Sequence, residues 1–136
     1  MRTTAFRWCL YVAAGCLLLA ALFQVTHYVT VSIAVANSGL KPGLQQEFRA
    51  LWLGAATQSF LLAVILAVAG WRPGWISRAV VVLCGLLPIA SSALFYSLVG
   101  SGWGQALSGL AAAAIVLSAL LWPLPGATQI APSRQA

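Results

Sequence analysis

The sequence predicts an all-α fold, an integral membrane bundle of four transmembrane helices joined by short loops. Hydrophobic residues make up 62% of the 136 residues, charged residues only 6%, and the mean hydropathy is +0.96. A chain with so few polar groups cannot cover a water-soluble surface of its size, so lipid is its expected solvent. The length is that of one domain, a single transmembrane domain over residues 1–136.

The first apolar stretch, residues 8–36, has no charged residue apart from the titratable His27. At ~1.5 Å per residue it exceeds a hydrocarbon core of ~30 Å, so we expect a helix that tilts, projects from the bilayer or ends near Thr30. The stretch is about twice as long as a signal-peptide core, which favours an uncleaved anchor over a signal cleaved after Ala34-Val35-Ala36.

Three further apolar runs follow, separated by turn residues and prolines. The predicted spans are residues 8–36, 49–70, 79–99 and 105–122. Residues 37–46 are expected to form a turn because they contain Pro42-Gly43. Pro88 is expected to kink the third helix, and Pro123 ends the fourth because proline cannot continue a helix. Residues 123–136 are expected to form a disordered cytoplasmic tail.

Basic residues outnumber acidic ones, and their positions predict the orientation. The net charge is +6, with Glu47 as the single acid. The basic residues lie one or two at a time between apolar runs, which indicates anchoring at anionic lipid headgroups and not nucleic-acid binding.

With the N-terminus inside, five of the seven basic residues are cytoplasmic: Arg2, Arg7, Arg72, Arg78 and Arg134, against Lys41 and Arg49 outside. Cytoplasmic loops retain Lys and Arg, so both termini are expected in the cytoplasm. The short loops and the excess of Arg over Lys favour a bacterial inner membrane.

The cysteines predict packing and no redox chemistry. Cys9, Cys16 and Cys84 form no CxxC pair, and two of them fall deep inside apolar segments. With one histidine and one glutamate in the whole chain, a protein-built metal site is not expected, and no cofactor is predicted.

The few polar side chains of the predicted helices gather toward the outer leaflet. Glu47 and His27 could act as an acid/base pair if burial and mutual charge moved their pKa values toward neutrality. Helical spacing places four further polar side chains where they could bind a substrate in a small outward-opening cavity: Gln24, Gln58, Ser92 and Tyr96.

A structural interpretation of the same residues stands beside this one. Glu47 falls in the first turn of a predicted helix, where the helix dipole and the basic Lys41 or Arg49 would stabilise its charge. His27 is then an ordinary interfacial side chain. Gln24 and Gln58 would form hydrogen bonds between helices.

Small residues in the fourth predicted helix permit close approach of another backbone. Gly109 and Ala113 are one turn apart, with further alanines around them. This face either docks another membrane protein or a second copy of the chain, or it packs within the bundle.

No P-loop, nucleophile elbow, HExxH sequence or central acidic residue of a proton-coupled exporter occurs in the chain. The sequence therefore favours an accessory, assembly or lipid-organising subunit that acts through helix contacts. One alternative is a membrane enzyme, such as an acid/base isomerase, that acts on an isoprenoid or sterol-like substrate. The other is a carrier or binding protein for a small apolar solute.

Overall fold

The computed structural model describes residues 2–99 and 103–121, with side chains at 4–93, 97 and 106–121. The described chain is helical and contains no strand, which confirms the predicted all-α class. The five helices are α1 (Arg2–Thr26), α2 (Tyr28–Ala36), α3 (Pro42–Trp71), α4 (Arg78–Val99) and α5 (Trp103–Leu120). The predicted tail, residues 123–136, lies outside the described residues.

The long first apolar stretch is divided at His27, between α1 and α2. The Phe23 carbonyl oxygen accepts hydrogen bonds from the backbone N–H of His27 at 3.1 Å and from the hydroxyl of Thr26 at 3.0 Å. A threonine that donates back to a carbonyl three residues earlier competes with the helical ladder and favours a bend. The division therefore needs neither glycine nor proline.

The loop before α3 is shorter than the sequence predicts, because the helix begins at Pro42. Proline suits the first helical position, since its fixed φ is helical and its missing N–H would have had no partner there. The chain reaches it through Gly39, whose φ of +70° lies in the left-handed region that glycine adopts without strain.

α1 lies at the centre of the packing, with α3 on one side and α5 on the other. α4 packs on α5, and α3 and α4 touch only marginally. The core is densest beside the N-terminal half of α1 and contains buried side chains from four helices: Phe6, Leu10, Leu17, Leu62, Leu66, Val81, Cys84 and Ile115, together with several alanines. Cys16 packs against this core and all three cysteines are free, so the packing role predicted for Cys16 and Cys84 is confirmed.

Gly85 of α4 and Gly109 of α5 lie in opposite environments. A Cβ atom added at Gly85 of α4 would lie 2.8 Å from Cγ2 of Ile115 in α5, so the two helices approach closely there. A Cβ at Gly109 of α5 would have no atom of the described residues within 4 Å. Gly109 therefore makes no described contact within the bundle, whereas Ala111 and Ala112 of the same helix are buried in it.

Two helices of the described chain are long and apolar enough to cross a membrane: Thr4–Thr26, within α1, and Pro42–Trp71. Shorter apolar stretches, Arg78–Ala93 and Ala106–Leu120, belong to α4 and α5. Much of the apolar surface of these helices points away from the core, as with Leu51 and Leu120, each 72% exposed.

Candidate functional site at the junction of three helices

The break between α1 and α2 fixes the orientation of the single histidine. His27 Nδ1 lies 2.9 Å from the Phe23 carbonyl oxygen and 3.2 Å from the Thr26 hydroxyl oxygen. A protonated Nδ1 would donate to the carbonyl, whereas an unprotonated one would accept from the hydroxyl. The imidazole also stacks on the Phe23 ring, with centroids 4.0 Å apart. The His27 side chain is exposed.

Glu47 lies on the exposed surface of α3, in the second turn of the helix. The first turn contains no acidic residue, because α3 begins at Pro42. The predicted stabilisation of Glu47 by a first-turn dipole is therefore wrong, since that effect falls off within one turn. Within the described residues the Glu47 carboxylate forms no hydrogen bond or ion pair, and Arg49 extends toward α2 instead.

Two side chains of α3 bond to the backbone of the neighbouring helices. The Trp52 indole N–H donates to the Gln24 carbonyl oxygen of α1 at 2.8 Å. One turn earlier, Arg49 Nη2 donates to the Ser32 carbonyl oxygen of α2 at 3.2 Å. These two bonds hold α3 antiparallel to both α1 and α2, across the break at His27.

Beside these bonds, two buried polar atoms have no hydrogen-bond partner among the described residues: Gln24 Oε1 and Arg49 Nε. At Gln24, the backbone carbonyl therefore accepts the hydrogen bond between helices. The side-chain oxygen, which the sequence analysis expected to form such a bond, has no partner among the described residues. This junction therefore contains a buried acceptor and a buried donor that are both available to a ligand.

The remaining predicted binding residues are distributed over other surfaces. Gln58 is exposed on α3. Ser92 is half-buried on α4, and its hydroxyl also has no described partner. α4 packs on α5 and contacts neither α1 nor α2 in the described chain, so these contacts do not bring Ser92 to His27. The side chain of Tyr96 lies outside the described residues.

Acid/base catalysis requires both groups within hydrogen-bond reach of one substrate. His27 is bonded to Phe23, and no direct hydrogen bond joins it to Glu47. The pair therefore stays a prediction that depends on a substrate between the two side chains. In the part of the chain with described side chains, no three His, Cys, Asp or Glu residues group as metal ligands would.

Arg49 and Trp52 are the residues of this junction that the sequence did not single out as a site. A signal for them exists, because they are three positions apart and so share a helical face, one turn inside an apolar span. A basic residue and an indole N–H on the same face of such a helix both need acceptors.

The small-residue face of α5 points out of the bundle. Gly109 and Ala113 are exposed, whereas Ala111 and Ala112 are buried against the neighbouring helices. The inward alanines allow α5 to approach α1, and the outward pair leaves the backbone of α5 accessible to another helix.

Comparisons with protein family models, with curated proteins and with solved structures give no match for this chain.

Proposed function

We propose that this chain is an integral membrane protein in which α1, α3, α4 and α5 cross the bilayer. The observation that carries the proposal is the low burial of the two most apolar helices, of which 33% and 22% of the apolar window is buried. A core helix of a water-soluble protein is buried over most of its apolar surface, because exposing that surface to water is unfavourable. Lipid covers these faces in the proposed arrangement.

α4 and α5 complete the proposed four-helix arrangement. They contain 22 and 18 residues, which corresponds to ~33 Å and ~27 Å of helix, near the ~30 Å of a hydrocarbon core. The distribution of Lys and Arg favours cytoplasmic termini in a bacterial inner membrane. In this orientation the junction around His27 lies in the outer half of the bilayer.

Within the membrane, we assign the chain an accessory, assembly or lipid-organising role through helix contacts. The outward face of α5 supports this assignment, since Gly109 is exposed and a Cβ added there would meet no described atom within 4 Å. A helix of another membrane protein, or of a second copy, could approach there to backbone distance.

Membrane integration is tested by alkaline carbonate extraction of membranes that contain the full chain. We expect the protein to stay in the membrane pellet, and release into the supernatant would overturn the proposal.

The docking role is tested with Gly109→Leu and a matched control, Gly15→Leu, at an α1 glycine that also has no atom within 4 Å. Both variants should keep the stability of the bundle, because neither new side chain meets a neighbour. Only Gly109→Leu should abolish association, measured by native electrophoresis and by copurification in mild detergent. Unchanged association of Gly109→Leu would contradict docking through this face.

The membrane-enzyme alternative has one observation in its favour: the buried Gln24 Oε1, three residues before His27, has no partner among the described residues. A buried acceptor without a partner suits a hydroxyl or other donor group of a ligand. Glu47→Gln and His27→Ala test this alternative, singly and together, by complementation of a strain that lacks the protein. An enzyme would lose function strongly and nonadditively. The accessory role predicts that all three variants complement.

A further inference from the structure

The loop between α3 and α4 places one arginine between two tryptophans. The Arg72 Cζ atom lies 5.2 Å from the ring centroid of Trp71 and 4.7 Å from that of Trp75, both within cation–π distance. The two indoles are 69% and 71% exposed, so little else in the described chain covers them.

The backbone of the loop determines this arrangement. The Arg72 N–H donates to the Val68 carbonyl at 2.8 Å and ends α3. The Trp75 N–H donates to the Arg72 carbonyl at 3.0 Å, which closes a turn with Pro73 and Gly74 in its centre. Gly74 does not have a positive φ, as expected of a type I turn with proline in its second position. The turn therefore brings Trp75 back over Arg72.

The contact leaves the guanidinium donors unused. Cation–π attraction acts through the ring faces, while the N–H groups of an arginine form a planar fork that fits two oxygens of a phosphate. No hydrogen bond or ion pair is described for the Arg72 side chain. The single acid of the chain, Glu47, lies 25 residues earlier in α3, ~38 Å away along the helix.

Further positive charge lies at the same end of the bundle. The Tyr11 ring lies against Gly70, at 3.0 Å from an added Cβ, so the N-terminal half of α1 runs beside the end of α3. Arg7 is one turn before Tyr11, and Arg78 begins α4 on the other side of the loop.

We propose that Trp71, Arg72 and Trp75 form a binding site for the phosphate of an anionic phospholipid in the leaflet that faces this loop. The site rests on the proposed membrane function, because it needs a headgroup layer around the loop. Indoles are enriched at that depth, where their apolar rings contact acyl chains and their N–H groups contact headgroups. The exposed aromatic pair thus favours a lipid phosphate over a phosphate free in solution.

The test compares charge-conserving variants of the purified full chain in neutral detergent, with bound lipid counted by native mass spectrometry. Phosphatidylglycerol is titrated against phosphatidylcholine. Arg72→Lys keeps the charge and loses the planar fork, and Trp75→Leu keeps an apolar side chain and loses the ring face. We expect each to weaken the preference for phosphatidylglycerol by about two- to fivefold, because each keeps the net charge and loses contact geometry comparable to one exposed cation–π contact. The matched control, Arg78→Lys, should bind as the parent does.

Equal binding by Arg72→Lys and Arg78→Lys would overturn the site and leave only diffuse attraction. Displacement of phosphatidylglycerol by equimolar inorganic phosphate would overturn the lipid as ligand. Folding of each variant is verified by an unchanged reaction rate of the buried Cys84 thiol, in a background with Cys9 and Cys16 replaced by alanine. Carbonate extraction separates the two proposals: release of the parent chain refutes membrane integration, whereas an integral chain with normal binding by Arg72→Lys refutes the lipid site alone.

Discussion

Gly85→Ala is the sharpest test of how α4 and α5 pack. The added methyl carbon would lie 2.8 Å from Ile115 Cγ2 and 3.5 Å from Ile115 Cβ. Carbon atoms pack best at about 3.5–4.0 Å, so the shorter contact is too close by roughly 0.7 Å. Ile115 is only 1% exposed, and its β-branched side chain is confined to one main rotamer in a helix, so the methyl group cannot turn away.

The expected change in the free energy of unfolding follows from two opposing terms. Overpacking of a buried contact costs roughly 1–3 kcal/mol. The intrinsic gain of alanine over glycine in a helix is at most about 1 kcal/mol. The middle of the first range less the second term gives a destabilisation of about 1 kcal/mol for Gly85→Ala. Gly109→Ala has no such contact and should be neutral or slightly stabilising.

Both variants are measured by SDS titration of the purified chain, with a fluorogenic maleimide that reports exposure of Cys84. Cys9 and Cys16 are replaced by alanine in every sample, so that the buried Cys84 is the single reporter. A second substitution, Ile115→Leu, should rescue Gly85→Ala, because leucine has no branch at Cβ and nearly the same volume. The reasoning is refuted if Gly85→Ala unfolds like the parent or if Gly109→Ala is the more damaging change.

Two further predictions concern the junction and the orientation. Trp52→Phe keeps an aromatic ring but removes the donor to the Gln24 carbonyl, and should cost about 1 kcal/mol in the same titration. Trp8→Phe, at a tryptophan that is 65% exposed, should cost nothing measurable, and equal effects would contradict the hydrogen bond. For orientation, a single cysteine at Lys41 should react with an impermeant thiol reagent in intact cells, and one at Ser77 only after lysis. The opposite labelling pattern would reverse the proposed topology.

The helical class of this protein could be predicted from the lengths of its apolar runs, and so could the bounds of α4. The start of α3 could not, because Pro-Gly occurs in turns and proline also occurs at the first position of helices. The first turns of α3 are followed by two hydrogen bonds to residues distant in the sequence. Arg49 bonds to Ser32 and Trp52 bonds to Gln24, and both bonds connect α3 to its neighbouring helices. The division at His27 likewise accompanies a side-chain bond, from the Thr26 hydroxyl to the Phe23 carbonyl, which still accepts the His27 N–H.

The sequence also could not predict which face of α5 packs inward. The helix is apolar on all sides, so no polar stripe defines its rotation about its own axis. Gly109 and Gly85 look equivalent in the sequence, and only the packed structure shows that Gly85 meets a neighbour. For the candidate site, the sequence identified Gln24 but assigned its role to the side chain, because backbone acceptors cannot be recognised from residue type.

In the proposed membrane arrangement, the unequal lengths of the helices have a consequence for the bilayer around them. The part of α3 after its charged first turns, residues 50–71, contains 22 residues and is ~33 Å long, whereas α5 contains 18 and is ~27 Å long. A membrane that fits one side of the molecule is mismatched to the other, and lipids respond to mismatch by local thickening, thinning or tilt of the helix. Across this small protein the bilayer would therefore change thickness from the α3 side to the α5 side. A protein of this shape would deform the bilayer least at a boundary between thicker and thinner membrane.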